Sequence, residues 1–582
     1  MKRIYFLFFV FFFFIQVKSI QNGTVYFDHD QFSFKGGIID TQNGIAWGIF
    51  NDEVEVDGWG KLEIYSSSSS YFSDYHKSYA MGYIEGILTK TRIQQYFNNF
   101  FNYNFPNGFD PKLIAFLNEN INWMNQKLKE NPQTPYWKSV SYVVNQVQGI
   151  YDGMSLDHGT NLSFIDIWIM NVEGDVEDII EVLNITTAHF KDRFSLDHCS
   201  GLVKLLEDGS DIYMSQVTWN RWYSMLRFLK YYHYGYTETP TEDVTFSGYP
   251  GIIVSLDDWY TLNKQFIITE TTMIMNNPAL YKYVNTSLLL TTVRTVLCSH
   301  LATSAENWAT CFAKYSSGTY NNEWIILDYS LWSPGTKVLQ PKTIYCLAQV
   351  PGTVLYRDIS VNLTEDTYVA SYNIPRFPEI FDLAGYPELV QQYGSWFDFN
   401  EHPRAKIFAR DQGKVTDMST MQHLMRYNGY PNDPLCDDCP GNAISSRKDL
   451  IDPNKPPINP YLLASCFGGE DAKIGTYSSI QDYSVYAEMG PTHDQQPVFS
   501  WSTAPDVCKG VPHEVIFFII LFPNFIFSQS EFSEILNQKF LLIPPIYNLE
   551  NWEGENFKVE QNKIDLSTSE TILSSIWTKN VF

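Results

Sequence analysis

The chain is poor in positive charge, in long apolar runs and in the local signatures that mark most hydrolases. Each shortage excludes a class of function. Lys and Arg number 40 against 65 Asp and Glu, a formal net charge of −25 at pH 7. Nucleic-acid binding requires a cationic surface, so no nucleic-acid partner is expected. Adsorption to anionic membranes by charge alone is excluded for the same reason. The apolar stretches Phe6 to Ile15 and Val515 to Phe527, the second broken by Pro523, fall short of the ~20 residues that span a bilayer, so no stable membrane anchor is expected. The sequence has no G-x-S-x-G elbow, no H-E-x-x-H zinc helix and no P-loop. Nothing in it calls for a metal or a cofactor.

What remains fits the expectation of a secreted glycoprotein. Lys2 and Arg3 precede the apolar run, and Val17-Lys18-Ser19 ends on a small residue, so residues 1–19 are expected to be a signal peptide. Five sequons, at Asn22, Asn161, Asn184, Asn285 and Asn362, are candidate glycosylation sites. The cysteines are Cys199, Cys298, Cys311, Cys346, Cys436, Cys439, Cys466 and Cys508. Most should pair in an oxidising compartment, yet holding Cys199 free leaves an odd number and hence a second unpaired thiol. Cys436-Asp-Asp-Cys439 has metal or redox spacing. It lacks the second ligand pair of a zinc site and the βαβ context of a redox motif, so a local Cys436–Cys439 disulfide is expected.

The apolar periodicity changes along the chain. Residues 20–75 alternate as short strands and turns, and residues 76–195 repeat apolar positions at helical spacing. From Cys199 onward strands dominate. Gly201 to Leu206 and Asp211 to Val217 flank a Glu207-Asp-Gly-Ser turn as a hairpin, and Gly248 to Leu256, Phe266 to Met275 and Glu323 to Tyr329 are further expected strands. Ser287 to Leu301 is expected to be helical, and the Pro- and Asn-rich stretch 431–460 to be surface loop. The pattern is α+β, compatible with two sheets between helices.

The chemistry points to Asp197-His198-Cys199-Ser200-Gly201-Leu202. A thiol before a turn-prone Ser-Gly pair and an apolar strand suits a nucleophile exposed at a strand start. It also suits a peptide bond that breaks between His198 and Cys199, after which the freed α-amine serves as base for its own side chain. Paired Asn321 and Asn322 could stabilise an oxyanion with neutral amide donors, or could simply form a turn. Trp219 and Asn220 are candidate pocket residues. Arg404 could hold Cys199, bind a substrate phosphate or make a structural ion pair.

Taken in order, His198-Cys199-Ser200-Gly201-Leu202, Thr218-Trp219-Asn220, Ser317-Gly-Thr-Tyr-Asn-Asn-Glu-Trp324 and Pro403-Arg-Ala-Lys-Ile-Phe-Ala-Arg-Asp-Gln412 resemble the phospholipase B-like family. Gly82-Tyr-Ile-Glu-Gly, Tyr151-Asp-Gly and Gly174-Asp-Val-Glu-Asp add to the resemblance. It implies a cysteine N-terminal-nucleophile (Ntn) hydrolase with an αββα sandwich, cut before Cys199 into fragments 20–198 and 199–510 that stay associated. It also implies a phospholipid substrate from which acyl chains are removed. Residues 511–582 lose the family pattern. Gln216 departs from it too, since many relatives carry a histidine there and glutamine cannot titrate. That substitution keeps open an alternative, a weakly active or inactive glycoprotein of the same fold that binds lipid or a protein partner.

Overall fold

The computed structural model describes residues 21–156, 160–187, 199–455, 459–514 and 526–527. The expected signal peptide, His198 and most of the 511–582 tail lie outside the described residues.

The N-terminal part opens with four strands, β1 (Gln21–Asp28), β2 (Gln31–Gly36), β3 (Ala46–Asp52) and β4 (Trp59–Ser66). Five helices follow: α1 (Asp74–Phe97), α2 (Pro111–Glu130), α3 (Pro135–Ser155), α4 (Phe164–Asn171) and α5 (Glu173–Val182). Glycine sets how closely α1 and α3 approach. A Cβ on Gly82 would stand 1.9 Å from the Gln146 carbonyl oxygen, one on Gly86 2.2 Å from that of Ile150, and one on Gly153 2.1 Å from that of Tyr83. The Gly82-Tyr-Ile-Glu-Gly and Tyr151-Asp-Gly motifs are therefore packing devices that let two backbones touch. Glu85, in the first of them, is buried and receives the Lys230 ammonium at 2.6 Å.

The Cys199 half is strand-rich: β5 (Ser200–Leu205), β6 (Ile212–Val217), β7 (Trp219–Arg221), β8 (Arg227–His233), β9 (Asp243–Gly248), β10 (Trp259–Leu262) and β11 (Phe266–Thr272). Then come α6 (Thr291–His300), α7 (Ala305–Phe312), β12 (Asn322–Asp328), β13 (Ile344–Val350), β14 (Thr353–Asp358), α8 (Ser360–Asp366) and β15 (Tyr368–Ser371). The chain continues through α9 (Pro378–Ala384), α10 (Tyr386–Tyr393), α11 (Pro403–Asp411), α12 (Met418–Met425), β16 (Phe467–Gly469), β17 (Asp471–Gly475), β18 (Val485–Met489) and β19 (Ile526–Phe527).

Two large sheets result. The first runs β14-β13-β12-β11-β10-β9-β8-β4-β3-β1-β2 and is antiparallel except where β4 meets β8. The second runs β15-β5-β6-β17-β18-β19, while β7 and β16 form a separate ribbon. Strand β11 packs against β5 and β6, so the sheets meet where Cys199 enters β5. Helix α1 covers β1, β3 and β4, α7 covers β12 and β13, α8 covers β5 and β15, and α12 covers β6 and β17. This is a mixed α+β architecture of large antiparallel sheets and helices. The register places Ser371, Gly201, Gln216 and Lys473 in one row across β15, β5, β6 and β17.

Three sequence expectations need correction. Residues 249–258 are turns, because β9 ends at Gly248 and the next strand begins only at Trp259. The 431–460 stretch is not all surface loop: residues 440–449 are buried, with several of their polar groups hydrogen-bonded internally. The Asn428 side chain donates to the Pro440 and Ser445 carbonyls at 3.0 and 2.8 Å, and Arg447 holds Asp449 at 2.8 Å. Finally, Cys436 and Cys439 are separate buried thiols, and the bonds present are Cys298–Cys311 and Cys466–Cys508. Asp437 and Asp438 both take left-handed backbone, with φ of 50° and 51°. The turn sends Cys436 into the main core and Cys439 into a small cluster with Ile451 and Leu462. Cys346 is free as well, so three thiols besides Cys199 are unpaired, where parity required at least one.

Candidate active site

Cys199 stands immediately before β5 with φ of 77°, a left-handed conformation that costs a residue bearing Cβ about 1–2 kcal/mol. It is buried and lines a cavity of about 590 Å³. The thiol donates to Asp258 Oδ2 at 2.9 Å. Gln216 Nε2 donates to the same oxygen at 3.1 Å, and the Tyr320 hydroxyl donates to Oδ1 at 3.1 Å. Asp258 itself has φ of 63°, on the turn that interrupts the expected strand.

Behind Asp258 lies a second buried carboxyl, Glu270 on β11, which takes the Asn322 amide at 2.6 Å. Burial, opposed by hydrogen bonds from Glu270 and Cys199 and by the charge of Lys473, pushes Asp258 up to about 6. Burial and then the charge of Asp258 raise Glu270 well above the usual carboxylate range. Two carboxyls thus compete for one negative charge, and Asp258 is the one that ionises first. Burial, and after it the charges of Asp258 and Glu270, keep Cys199 a thiol, while a hydrogen bond from the Trp219 main-chain N–H pulls the other way.

Arg404 is wholly buried on α11 and grips Cys199 through its main chain. Its guanidinium donates to the Cys199 carbonyl at 2.5 Å, Ser200 Oγ at 3.2 Å, the Tyr372 carbonyl at 2.9 Å and Asn373 Oδ1 at 2.7 Å. It also stacks 4.3 Å from the Trp219 ring. Of the roles open to it from sequence, holding Cys199 is the one the geometry favours, because Arg404 is not among the cavity-lining residues. Trp219 lines the cavity but directs its indole N–H to the Ile444 carbonyl at 3.1 Å, a carbonyl that also receives Ser200 Oγ at 2.9 Å. The buried 440–449 segment therefore supports the start of β5, next to Cys199. Asn220 lines the cavity, with one long bond of 3.4 Å to the Tyr249 hydroxyl.

The paired asparagines separate. Asn321 lines the cavity, yet its amide protons go to the Gly318 carbonyl at 2.9 Å and Asp178 Oδ2 at 3.2 Å. Asn322 is turned to Glu270 and does not reach the cavity. The loop that carries them is pinned by the Gly174-Asp-Val-Glu-Asp motif. Asp175 accepts from the Thr291 and Thr292 amides at 2.9 and 3.1 Å, and Asp178 accepts from the Tyr320 amide at 2.8 Å. A Cβ on Gly174 would lie 2.7 Å from the Tyr320 ring. Met273, Ile274 and Met275 give the cavity apolar lining, and Glu173, Glu177 and Asp178 line it with carboxyls.

Among the described residues no cluster of His, Cys, Asp and Glu could hold a metal ion. No described helix is long and apolar enough to cross a membrane. Asn161, Asn184, Asn285 and Asn362 are exposed, and Asn22 is half-buried in β1. Sequence reasoning missed Asp258, Glu270, Tyr320 and Lys473. Only the adjacent acids Asp257-Asp258, set in an apolar stretch, offered a local hint.

A buried cysteine with left-handed backbone at the start of a strand, hydrogen-bonded to a carboxyl at the wall of a cavity, is the centre of the candidate site. The family model described as Phospholipase B matches residues 46–520. Phospholipase B-like protein B of Dictyostelium discoideum is 36% identical over 476 residues, 79% of this chain and 82% of the relative. Phospholipase B-like protein C of the same organism is 35% identical over 511 residues, 84% and 86% of the two chains. The chain belongs to the phospholipase B family.

Proposed function

We propose that the protein is a secreted or lysosomal glycoprotein that removes acyl chains from glycerophospholipids by cysteine Ntn chemistry, after cutting itself between His198 and Cys199. The observation that carries this reading is Cys199 itself: strained at φ 77°, on the cavity wall, with its S–H on Asp258. An αββα sandwich of the Ntn type is in keeping with two facing sheets whose strands are packed by helices.

In the uncut chain, Asp258 takes the thiol proton as the sulfur attacks the carbonyl carbon of the preceding residue. The C–N bond breaks, the Cys199 nitrogen gains a proton, and water hydrolyses the thioester. Release of the backbone strain at Cys199 favours that step. In the mature protein the freed α-amine, with an ordinary pKa near 8, takes the thiol proton. The thiolate adds to the ester carbonyl, the protonated amine returns its proton to the departing glycerol oxygen, and water clears the acyl thioester. The Trp219 main-chain N–H, already turned toward the sulfur, and the Asn220 amide are the donors best suited to an oxyanion. Asn321 is less suited, since its amide protons are engaged elsewhere.

Gln216 supports the alternative of an inactive lipid-binding protein only if the site needs a titratable group at that position. Asp258, held by the Gln216 amide, supplies one. The test is fatty acid release from phosphatidylcholine micelles by wild type and Cys199→Ala at matched protein levels. Release by wild type alone supports the proposal, and equal release places the activity elsewhere. No release from either favours lipid binding.

A further inference from the structure

We propose that Lys473 and Thr218 are positioning residues for the nucleophile: through Gln216 they fix the amide edge that holds Asp258 against Cys199. The inference rests on Cys199 as the reactive group and concerns how its neighbour is oriented.

The connection is continuous. Lys473 on β17 stands directly across from Gln216 on β6. Its ammonium donates to Thr218 Oγ1 at 2.7 Å and to Asp471 Oδ2 at 2.5 Å. With one lone pair so engaged, the Thr218 hydroxyl has its single proton to give, and Gln216 Oε1 lies 3.2 Å away, with the Asp257 carbonyl at 3.0 Å. Gln216 is thereby held with its oxygen toward Thr218 and its Nε2 toward Asp258 Oδ2, the oxygen that also receives the Cys199 thiol. Flipping the amide would set an oxygen against the Asp258 carboxylate and leave that carboxylate without its donor.

The relay has no slack. Lys473, Thr218, Gln216, Asp258 and Asp471 are all buried. Asp471 also accepts from the Thr218 amide at 2.9 Å and from Arg227 at 2.7 Å, and Arg227 in turn holds Asp257 at 2.7 Å. A lysine serving only to neutralise Asp471 would have no need to reach Thr218. The groups that face Asp258 are Cys199 from β5, Gln216 from β6, Glu270 from β11, Tyr320 from the loop before β12, the neighbouring Asp257, and the Lys473 charge from β17. Among them Lys473 supplies a positive charge that favours ionised Asp258, so removing it should move Asp258's titration upward.

The experiment is the pH dependence of Cys199 alkylation by iodoacetamide, followed by peptide mass spectrometry on the full chain, in wild type, Lys473→Met, Lys473→Arg and Thr218→Val. Alkylation should step up where Asp258 ionises and can take the thiol proton. Lys473→Met should move that step to higher pH by about one unit, and Lys473→Arg should restore it. Thr218→Val removes one oxygen and keeps the charge, so the step should stay in place while the rate above it falls about tenfold, as expected for a displaced partner. Wild-type step and rate in both Lys473→Met and Thr218→Val overturn the inference. If Lys473→Met does not fold, an unchanged rate in Thr218→Val overturns it alone. Chain number and fatty acid release on the same samples report separately on the hydrolase proposal, and alkylation profiles are compared only between samples of the same chain number, because the freed α-amine also takes the thiol proton once the chain is cut.

Discussion

Replacing Arg404 by lysine keeps the charge and removes the fork. The guanidinium spans two sides of the site, with Cys199 and Ser200 on one and Tyr372 and Asn373 on the other. A single ammonium reaches one side only. The other side is left with buried acceptors lacking a charged donor, each worth about 1.5–3 kcal/mol. The stacking on Trp219 at 4.3 Å is weakened as well, a loss of about 1 kcal/mol. The sum is a destabilisation of about 4–7 kcal/mol, read as a lower urea midpoint at unchanged slope. The larger effect is on chemistry. The Cys199 carbonyl is no longer clamped, and misplacing the sulfur by about 1 Å costs about 100-fold. Arg404→Lys should therefore accumulate as uncut precursor in a pulse-chase followed on denaturing gels. Cleavage and ester hydrolysis within about twofold of wild type would refute the argument that Arg404 sets the nucleophile's position.

Other consequences follow from buried acids and thiols. Burial raises Glu173 to about 8 and Asp178 and Glu63 to about 7. The folded chain therefore binds more protons than the unfolded one between about pH 4.5 and pH 8. The stability these groups contribute is full below their unfolded values and is lost as pH rises through the folded ones, so thermal unfolding should come at higher temperature at pH 5 than at pH 8. Glu173→Gln should flatten that dependence, and an unchanged slope counts against it. Gly174→Ala places a methyl 2.7 Å from the Tyr320 ring, so the Tyr320–Asp258 bond should be lost. Fatty acid release should fall about tenfold with little change in the urea midpoint; unchanged release contradicts the role given to Tyr320. Alkylation of denatured, unreduced protein should label Cys199, Cys346, Cys436 and Cys439 and spare Cys298, Cys311, Cys466 and Cys508. A recovered Cys436–Cys439 linked peptide contradicts this.

What could be read from sequence was whatever local pattern decides. The hairpin around Glu207–Ser210 declares itself by alternation and turn residues, and β5 and β6 lie where it predicts. The helices before residue 183 follow their apolar spacing in the same way. The glycine motifs were visible, but their purpose was not, because it depends on a second helix about sixty residues away. Asp258 was hidden for a like reason: it meets Cys199 across 59 residues, on a turn whose apolar neighbours read as strand. Asn321 and Asn322 were chosen as donors by residue type. Only the fold reveals that Asp178, Gly318 and Glu270 receive their amide protons. The 440–449 segment carries loop-like composition, yet Asn428 takes its Pro440 and Ser445 carbonyls, and its Ile444 carbonyl receives Ser200 and Trp219, which lets it be buried beside them.

The most direct test of the central claim is N-terminal sequencing of the purified protein, wild type beside Cys199→Ala. Wild type should give two chains, the second beginning Cys-Ser-Gly-Leu-Val at Cys199, and Cys199→Ala should give one uncut chain. A wild-type protein that remains a single chain while fully active would contradict the account.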